Sequence, residues 1–239
     1  MPFAAITYPV QEGHDREVAE IFAEGNYQRV DSPVMVDQES GEIIGFLIAT
    51  GLFLSGSTMV RVIQHEGGTV ADIAAHMSVQ TGVHEAEREL LPHLSVARDT
   101  RTPAGFTAHF FRSLLTELDQ WGADNQPAAG LTVLCYPIRP GTTAESVQAA
   151  CAGGAGDQAR FADYPGVVRT ALFLRDGEFV LRVLQHGGGE AAVLAHVTQD
   201  HDGRGPDHWL DPLLADALPR TVDARPMPVI AFMSAAIAS

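Results

Sequence analysis

The hydrophobic pattern of the chain runs through one succession of periods twice. Residues 3–10 alternate, with Ala4, Ile6, Tyr8 and Val10 on one side, and predict a strand. From Gly13 the period lengthens. Val18, Ile21 and Phe22 recur at helical spacing among Asp15, Glu17, Glu20 and Glu24, and Gly25-Asn26 reads as the stop. Residues 27–42 are polar and turn-rich and predict a long loop. Strands are predicted over 43–53 and 59–66, then helices over 69–77, with Thr69 as N-cap, and over 83–91. A loop with two prolines over 92–105 leads to a last strand over 106–115, whose end could be helical. This half reads β-α-β-β-α-β, the ferredoxin-like order.

The order then restarts. Leu131 to Ile138 repeats Ala4 to Val10, keeping Tyr-Pro followed by a branched aliphatic residue. The closest repetition is Met59-Val60-Arg61-Val62-Ile63-Gln64-His65 against Val180-Leu181-Arg182-Val183-Leu184-Gln185-His186, each preceded by a Leu-Phe-Leu strand and a glycine-containing turn. Helices are expected over 143–151, 190–198 and 209–218, and a final strand over 229–236. The expected organisation is an α+β chain of tandem duplicated ferredoxin-like domains, 1–116 and 131–239, joined by a linker over 117–130. A ferredoxin-like sheet has helices on one face only. Two such sheets in one chain would cover each other as an α+β barrel, the internal equivalent of a two-fold dimer. That predicts a monomeric pseudo-dimer, or a homodimer of it.

Composition narrows the function classes. The net charge is −15, from 30 acidic and 15 basic residues, and every basic residue is Arg. Such a chain is a poor binder of nucleic-acid backbone or anionic membrane, because both need clustered cations. Cys135 and Cys151 make no disulfide framework and lack zinc spacing. With no signal-peptide pattern and no apolar run of spanning length, the expected location is cytoplasmic.

Strand periodicity puts Arg61 and His65 on one face and Gln64 on the other, and it orients Arg182 and His186 alike. An Arg holding an anionic oxygen and a His taking a proton make Arg61, His65, Arg182 and His186 the catalytic candidates. The bland alternative is that they seal the sheet. Tyr8, Gln64, His76, Tyr136, His196 and Trp209 are the candidate substrate contacts. Tyr8 and Tyr136 could present a phenol at a strand end, and His76 and His196 sit near helix ends, where the dipole alone would explain them. His196 and His201 with Asp200, Asp202 and Asp207 form only a weak metal-like cluster. No dinucleotide fingerprint, P-loop or nucleophile elbow is present. The expectation is binding, or chemistry by side chains alone, with no cofactor and no metal.

The opening Met1-Pro2-Phe3-Ala4-Ala5-Ile6-Thr7-Tyr8, the Val60-Arg61-Val62-Ile63 strand, Glu89-Leu90-Leu91-Pro92-His93-Leu94 and Arg98-Asp99-Thr100-Arg101-Thr102-Pro103-Ala104-Gly105-Phe106 resemble the SchA/CurD-like family of aromatic (type II) polyketide and spore-pigment gene clusters. The resemblance covers residues 1 to about 115; near the second half's end, Asp223-Ala224-Arg225-Pro226-Met227-Pro228 lacks the Thr-Pro-Ala-Gly-Phe form. It implies a dimeric α+β barrel of the antibiotic-biosynthesis monooxygenase kind, acting on an aromatic polyketide. The implied reaction is cofactor-independent oxidation of a phenolic or anthrone-like ring to a quinone, with molecular oxygen as co-substrate. Alternatives are a cyclase or aromatase steering ring closure, and a non-catalytic partner of other polyketide cyclases or oxygenases.

Overall fold

The computed structural model describes residues 1–23, 32–122, 130–153, 156–161, 164, 166–187, 189–198, 207–215, 225–226 and 229–234. Both repeats fold as α+β units of the ferredoxin-like kind. The first contributes β1 (Phe3–Pro9), α1 (Asp15–Ile21), a short β2 (Val34–Val36), β3 (Ile43–Ser55), β4 (Thr58–Gly67), α2 (Val70–Met77), α3 (Thr81–Leu90), a 3-10 turn (Leu91–His93) and α4 (Pro103–Ser113). β5 (Thr116–Gly122) follows. The second repeat contributes β6 (Gly130–Pro137), α5 (Ala144–Gly153), α6 (Asp157–Phe161), β7 (Val167–Arg175), β8 (Phe179–His186), α7 (Glu190–Thr198), a 3-10 segment (His208–Leu213), β9 (Arg225–Pro226) and β10 (Val229–Ser234).

The hairpins form as the hydrophobic pattern predicts. β3 and β4 turn through Gly56 (φ +55°) and β7 and β8 through Gly177 (φ +72°), both in the left-handed region that glycine tolerates. Thr69 caps α2 in a capping box: its hydroxyl accepts from the Asp72 amide, and the Asp72 carboxylate accepts from the Thr69 amide.

Five expectations need correction. Residues 106–113 are helix, not strand. Thr102 accepts the Gly105 amide at 3.1 Å, Pro103 opens the helix, and Phe106, Phe110 and Ser113 recur on its buried side. The aromatic run mimics strand composition, but the cap and proline decide. The fourth strand lies instead in the expected linker, as β5, whose polar sequence Thr-Glu-Leu-Asp-Gln-Trp-Gly shows little alternation because it is an edge strand. The domain boundaries shift with it. One compact unit is Met1–Leu114 plus Pro228–Ser239, and the other is Leu115–Met227. Each repeat's last strand therefore belongs to the other repeat's unit. β10 pairs with β3 in the sheet β1-β4-β3-β10, and β5 pairs with β7 in the sheet β5-β7-β8-β6-β9. The long loop holds the short β2, and the helix expected over 209–218 is 3-10 over its described part. The Gly25-Asn26 stop lies outside the described residues.

Each unit has its own core. In unit 1, Ile6, Leu52, Met59 and Ile63 of the sheet meet Ile73, Val83, Leu90 and Phe110 of the helices. In unit 2, Leu134, Leu172, Val180 and Leu184 meet Val147, Phe161, Val193 and Leu210.

Candidate functional site

The residues that matter most are charged groups inside those cores. Arg61 is 1% exposed and Arg182 0%. Arg61 lies in β4 and Arg182 in β8, each on the face that carries the helix-side core. β1–β4 register places Ile6 opposite Arg61 and Tyr8 opposite Met59, so Tyr8 and Arg61 are diagonal neighbours on that face. The same holds for Tyr136 and Arg182 through Leu134↔Arg182 and Tyr136↔Val180.

A buried guanidinium needs a counter-charge, and each unit supplies a carboxylate from the segment after that strand. In both repeats a leucine bridges the end of the first strand, Val10↔Leu94 and Ile138↔Leu214. Glu87 and Asp207 each stand seven residues before that leucine. They share this offset, Glu87 within α3 and Asp207 just before the 3-10 segment.

In unit 1, Glu87 forms an ion pair with Arg98, and both side chains are nearly inaccessible. Arg98 lies over the Tyr8 ring at 4.5 Å and Arg61 at 5.8 Å, both cation–π distances. Arg98 also donates at 2.8 Å to His109 Nε2, which Ser113 Oγ approaches at 3.1 Å. Burial pushes the Glu87 carboxyl pKa up, and the charges of Arg98 and Arg61 with the Tyr8 hydroxyl only partly offset it. His109 moves the opposite way: burial, then the charges of Arg98 and Arg112, lower it from 6.5 to about 4. It is therefore a neutral imidazole at physiological pH. Its Nε2 accepts from Arg98, which places the ring proton on Nδ1.

That shift has a signed consequence. Between pH 4 and 6.5 the unfolded chain binds a proton at His109 that the native state does not. The contribution of His109 is thus full above pH 6.5 and is lost as pH falls towards 4. Native-state hydrogen exchange of β1 and α4, followed across this window, is expected to show stability rising with pH. His109→Asn should flatten that slope, and an unchanged slope would exclude His109 as its source.

In unit 2 the arrangement closes on itself. Arg182 donates through Nε to Asp207 Oδ2 at 3.0 Å, through its second terminal nitrogen to Oδ1 at 2.5 Å, and through the first to Thr170 Oγ1 at 2.9 Å. The Tyr136 hydroxyl donates to Asp207 Oδ2 at 2.8 Å. Arg182 also lies over the Phe161 ring at 4.8 Å. Burial alone would raise the Asp207 pKa, but the charge and hydrogen bonds of Arg182, aided by Tyr136, hold it below the usual carboxylate value. Burial and the neighbouring carboxylate push the Tyr136 phenol well up.

The two histidines of the repeated strand stay apart from these clusters. His65 and Arg61 share a face but lie four residues apart, about 13 Å along a strand. His65 is buried, and its Nδ1 lies 3.0 Å from the Gly67 carbonyl, which makes Nδ1 the donor and leaves the lone pair on Nε2. His186 Nε2 lies 3.0 Å from Thr132 Oγ1, and its ring covers Gly130, where a Cβ would sit 3.0 Å from it. His76 fastens a loop: its Nε2 meets the Ser32 carbonyl at 2.8 Å and Gln80 Nε2 at 3.2 Å. Gln64 is buried on the opposite face from Arg61. Trp209 is half-buried beneath Arg160, at 4.7 Å. His196 is in α7, with its side chain outside the described residues, as are Asp200, His201 and Asp202 of the weak metal-like cluster. Among the described residues no group of three or more His, Cys, Asp or Glu is placed to hold a metal, and no helix is long and apolar enough to cross a membrane.

The site residues not anticipated are Glu87, Arg98, His109 and Thr170. Asp207 was legible only as part of the metal-like cluster; the structure gives it to Arg182 instead. Glu87 carried one usable signal: in α3 it shares the buried side with Val83, Ala86 and Leu90, and a carboxylate there requires a cation.

A sequence profile of the SchA/CurD like domain matches residues 1–123. "Polyketide synthase CurD" of Streptomyces cyaneus is 29% identical over 210 residues, covering 81% of this chain and 54% of that protein. "Protein SchA" of Streptomyces halstedii is 30% identical over 204 residues, covering 80% and 48%. The chain thus spans about half the length of the curated relatives it matches. Among solved structures, an anthrone oxidase-like protein aligns over 98% of this chain and 93% of its own, at 13% identity and a TM-score of 0.43. A likeness that distant bears on neither activity nor site. The family rests on the sequence: this chain, through its first repeat, belongs to the SchA/CurD-like domain family.

Proposed function

We propose that the protein is an aromatic polyketide tailoring enzyme, a cofactor-independent monooxygenase that converts a phenolic or anthrone-like ring to a quinone. The observation that carries this reading is Arg61, a guanidinium almost fully buried in unit 1, where the described residues set Arg61 and Arg98 beside the Glu87 carboxylate. A guanidinium in a low-dielectric core suits an anion that forms during reaction. Membership of the family, and the polyketide synthase name borne by one relative, supply the substrate class.

In the proposed reaction His65 Nε2 removes a proton from the ring methylene, and Arg61 holds the enolate oxygen. The separation of these two along the strand suits a fused polycycle better than a small acyl group. The electron-rich anion passes one electron to O2, and the resulting carbon radical and superoxide join in a C–O bond. The hydroperoxide then loses its remaining C–H proton as the O–O bond breaks. One oxygen atom ends in the quinone carbonyl and the other in water. No external reductant is consumed, so the chemistry needs neither flavin nor metal.

Oxygen uptake by the purified, metal-stripped protein with an anthrone-type substrate tests the proposal. One O2 consumed per quinone formed is expected. Ring closure of a poly-β-ketone without oxygen uptake would replace this reading with a cyclase. Neither reaction alone, but improved yield with partner enzymes, would replace it with a non-catalytic role.

A further inference from the structure

We propose that His14 and His93 form a two-histidine site for a nitrogen-preferring divalent metal ion of the copper, nickel and zinc class. Neither residue belongs to the Arg61 cluster or takes part in the proposed reaction, so the site stands or falls independently of that reading.

The first ground is the meeting of two imidazoles. His14, at the N-cap of α1, and His93, at the end of the 3-10 turn, bring their Nδ1 atoms to 3.0 Å. Both rings are half-buried, and among the described residues neither has another hydrogen-bonding partner. Metal–imidazole bonds of about 2.0–2.1 Å set two ligating nitrogens about 2.9 Å apart at a right angle and about 3.3 Å apart at the tetrahedral angle. The observed separation lies between the two. With their centroids 5.3 Å apart, the rings face each other head-on. Each must turn about 35–45° to aim its lone pair at one ion beside the line joining them, and χ2 of histidine is a broad torsion. In the neutral pair one Nδ1–H donates to the other ring. On metal binding that proton moves to Nε2 of its own ring, and both Nδ1 lone pairs face the ion.

The second ground is that the fold does not need these histidines. The Gln11 amide donates to the His93 carbonyl at 2.8 Å, and the Ser95 amide to the Pro9 carbonyl at 3.0 Å. Gln11 Nε2 donates to the carbonyls of Pro92 and Leu94, on either side of His93. The second repeat builds the same frame. The Arg139 amide donates to the Leu213 carbonyl at 2.8 Å, the Ala215 amide to the Pro137 carbonyl at 3.1 Å, and Arg139 Nε to the Leu214 carbonyl. His14 follows Val10 by four residues as Thr142 follows Ile138, and His93 and Leu213 each precede the bridging leucine. The frame thus stands with threonine and leucine in place of the histidines. In the first repeat it fixes the backbone beneath both rings, which lowers the ordering cost of closing them on one ion. Imidazole nitrogen suits copper, nickel and zinc, whereas Mg²⁺ and Ca²⁺ take oxygen shells. Two ligands fall short of a closed site, and no third His, Cys, Asp or Glu joins them among the described residues, so the site is an open one completed by solvent oxygen.

The test is a Cu²⁺ titration of the metal-stripped full chain, followed by electron paramagnetic resonance, which reports nitrogen coordination. An equivalent bound through two imidazole nitrogens is expected, and excess Mg²⁺ should not displace it. His14→Thr and His93→Leu install the residues with which the second repeat builds the same frame, so both variants are expected to fold. Each should weaken that equivalent at least tenfold, since losing even an outer-shell partner costs about 10–100-fold in metal affinity. In the unaltered chain, Cu²⁺ should slow hydrogen exchange of the backbone over residues 9–14 and 92–95. Equal affinity in wild type and both variants, weakening by only one of them, a spectrum with a single nitrogen, or exchange over these two segments that Cu²⁺ leaves unchanged would overturn the proposal.

Discussion

Asp207→Ala is expected to destabilise unit 2 by about 3–5 kcal/mol, the cost of leaving a buried guanidinium without its counter-charge. The size follows from how complete the pair is. Arg182 is fully inaccessible, so water cannot replace the lost carboxylate, and Tyr136 loses its acceptor in the same substitution. Replacing both partners, Arg182→Met with Asp207→Leu, should recover most of the loss, because apolar groups of similar volume need no counter-charge. The molecule supplies its own reporter. Its two tryptophans, Trp121 in β5 and Trp209, both belong to the unit spanning Leu115–Met227. Tryptophan fluorescence in a denaturant titration therefore follows that unit alone. A midpoint for Asp207→Ala within about 1 kcal/mol of wild type, the range of an exposed pair, would mean that the pair is not closed to water.

The hairpins were legible because both their signals are local: hydrophobic period, and glycine at the turn. Tyr8 and Arg61 were legible as repeated residues, and period-2 geometry put Arg61 on the correct strand face. What the sequence hid depends on distant partners. β5 is an edge strand whose Glu117 and Asp119 pair with Phe173 and Leu172 of a strand some 50 residues on, so no alternation announces it. The transfer of β10 to β3 has no local signature either, since either sheet would accept the same apolar strand. Glu87 looks like one more acidic residue of an amphipathic helix until the fold turns it towards Arg98. Strand spacing also sets a limit on the repeated Arg and His. Sharing a face is not touching, and four residues of strand hold Arg61 and His65 apart however alike the two repeats read.

Arg61→Met is expected to behave in the opposite way to Asp207→Ala, sparing the fold and removing the chemistry. Glu87 keeps its ion pair with Arg98 when Arg61 is taken away. The lost methylene packing is largely restored by Met, a residue of similar length. The enolate, by contrast, loses its buried donor, and removing one such donor costs about 10²–10³ in kcat. Arg61→Lys should recover only part, since an ammonium keeps the charge but not the planar pair of N–H groups. The experiment is steady-state oxygen uptake at saturating anthrone, with hydrogen exchange of β4 as the control for folding. A kcat within about threefold of wild type in Arg61→Met would show that the enolate is held elsewhere. An exchange rate in β4 that rises with the loss of activity would return Arg61 to the same structural role as Arg182.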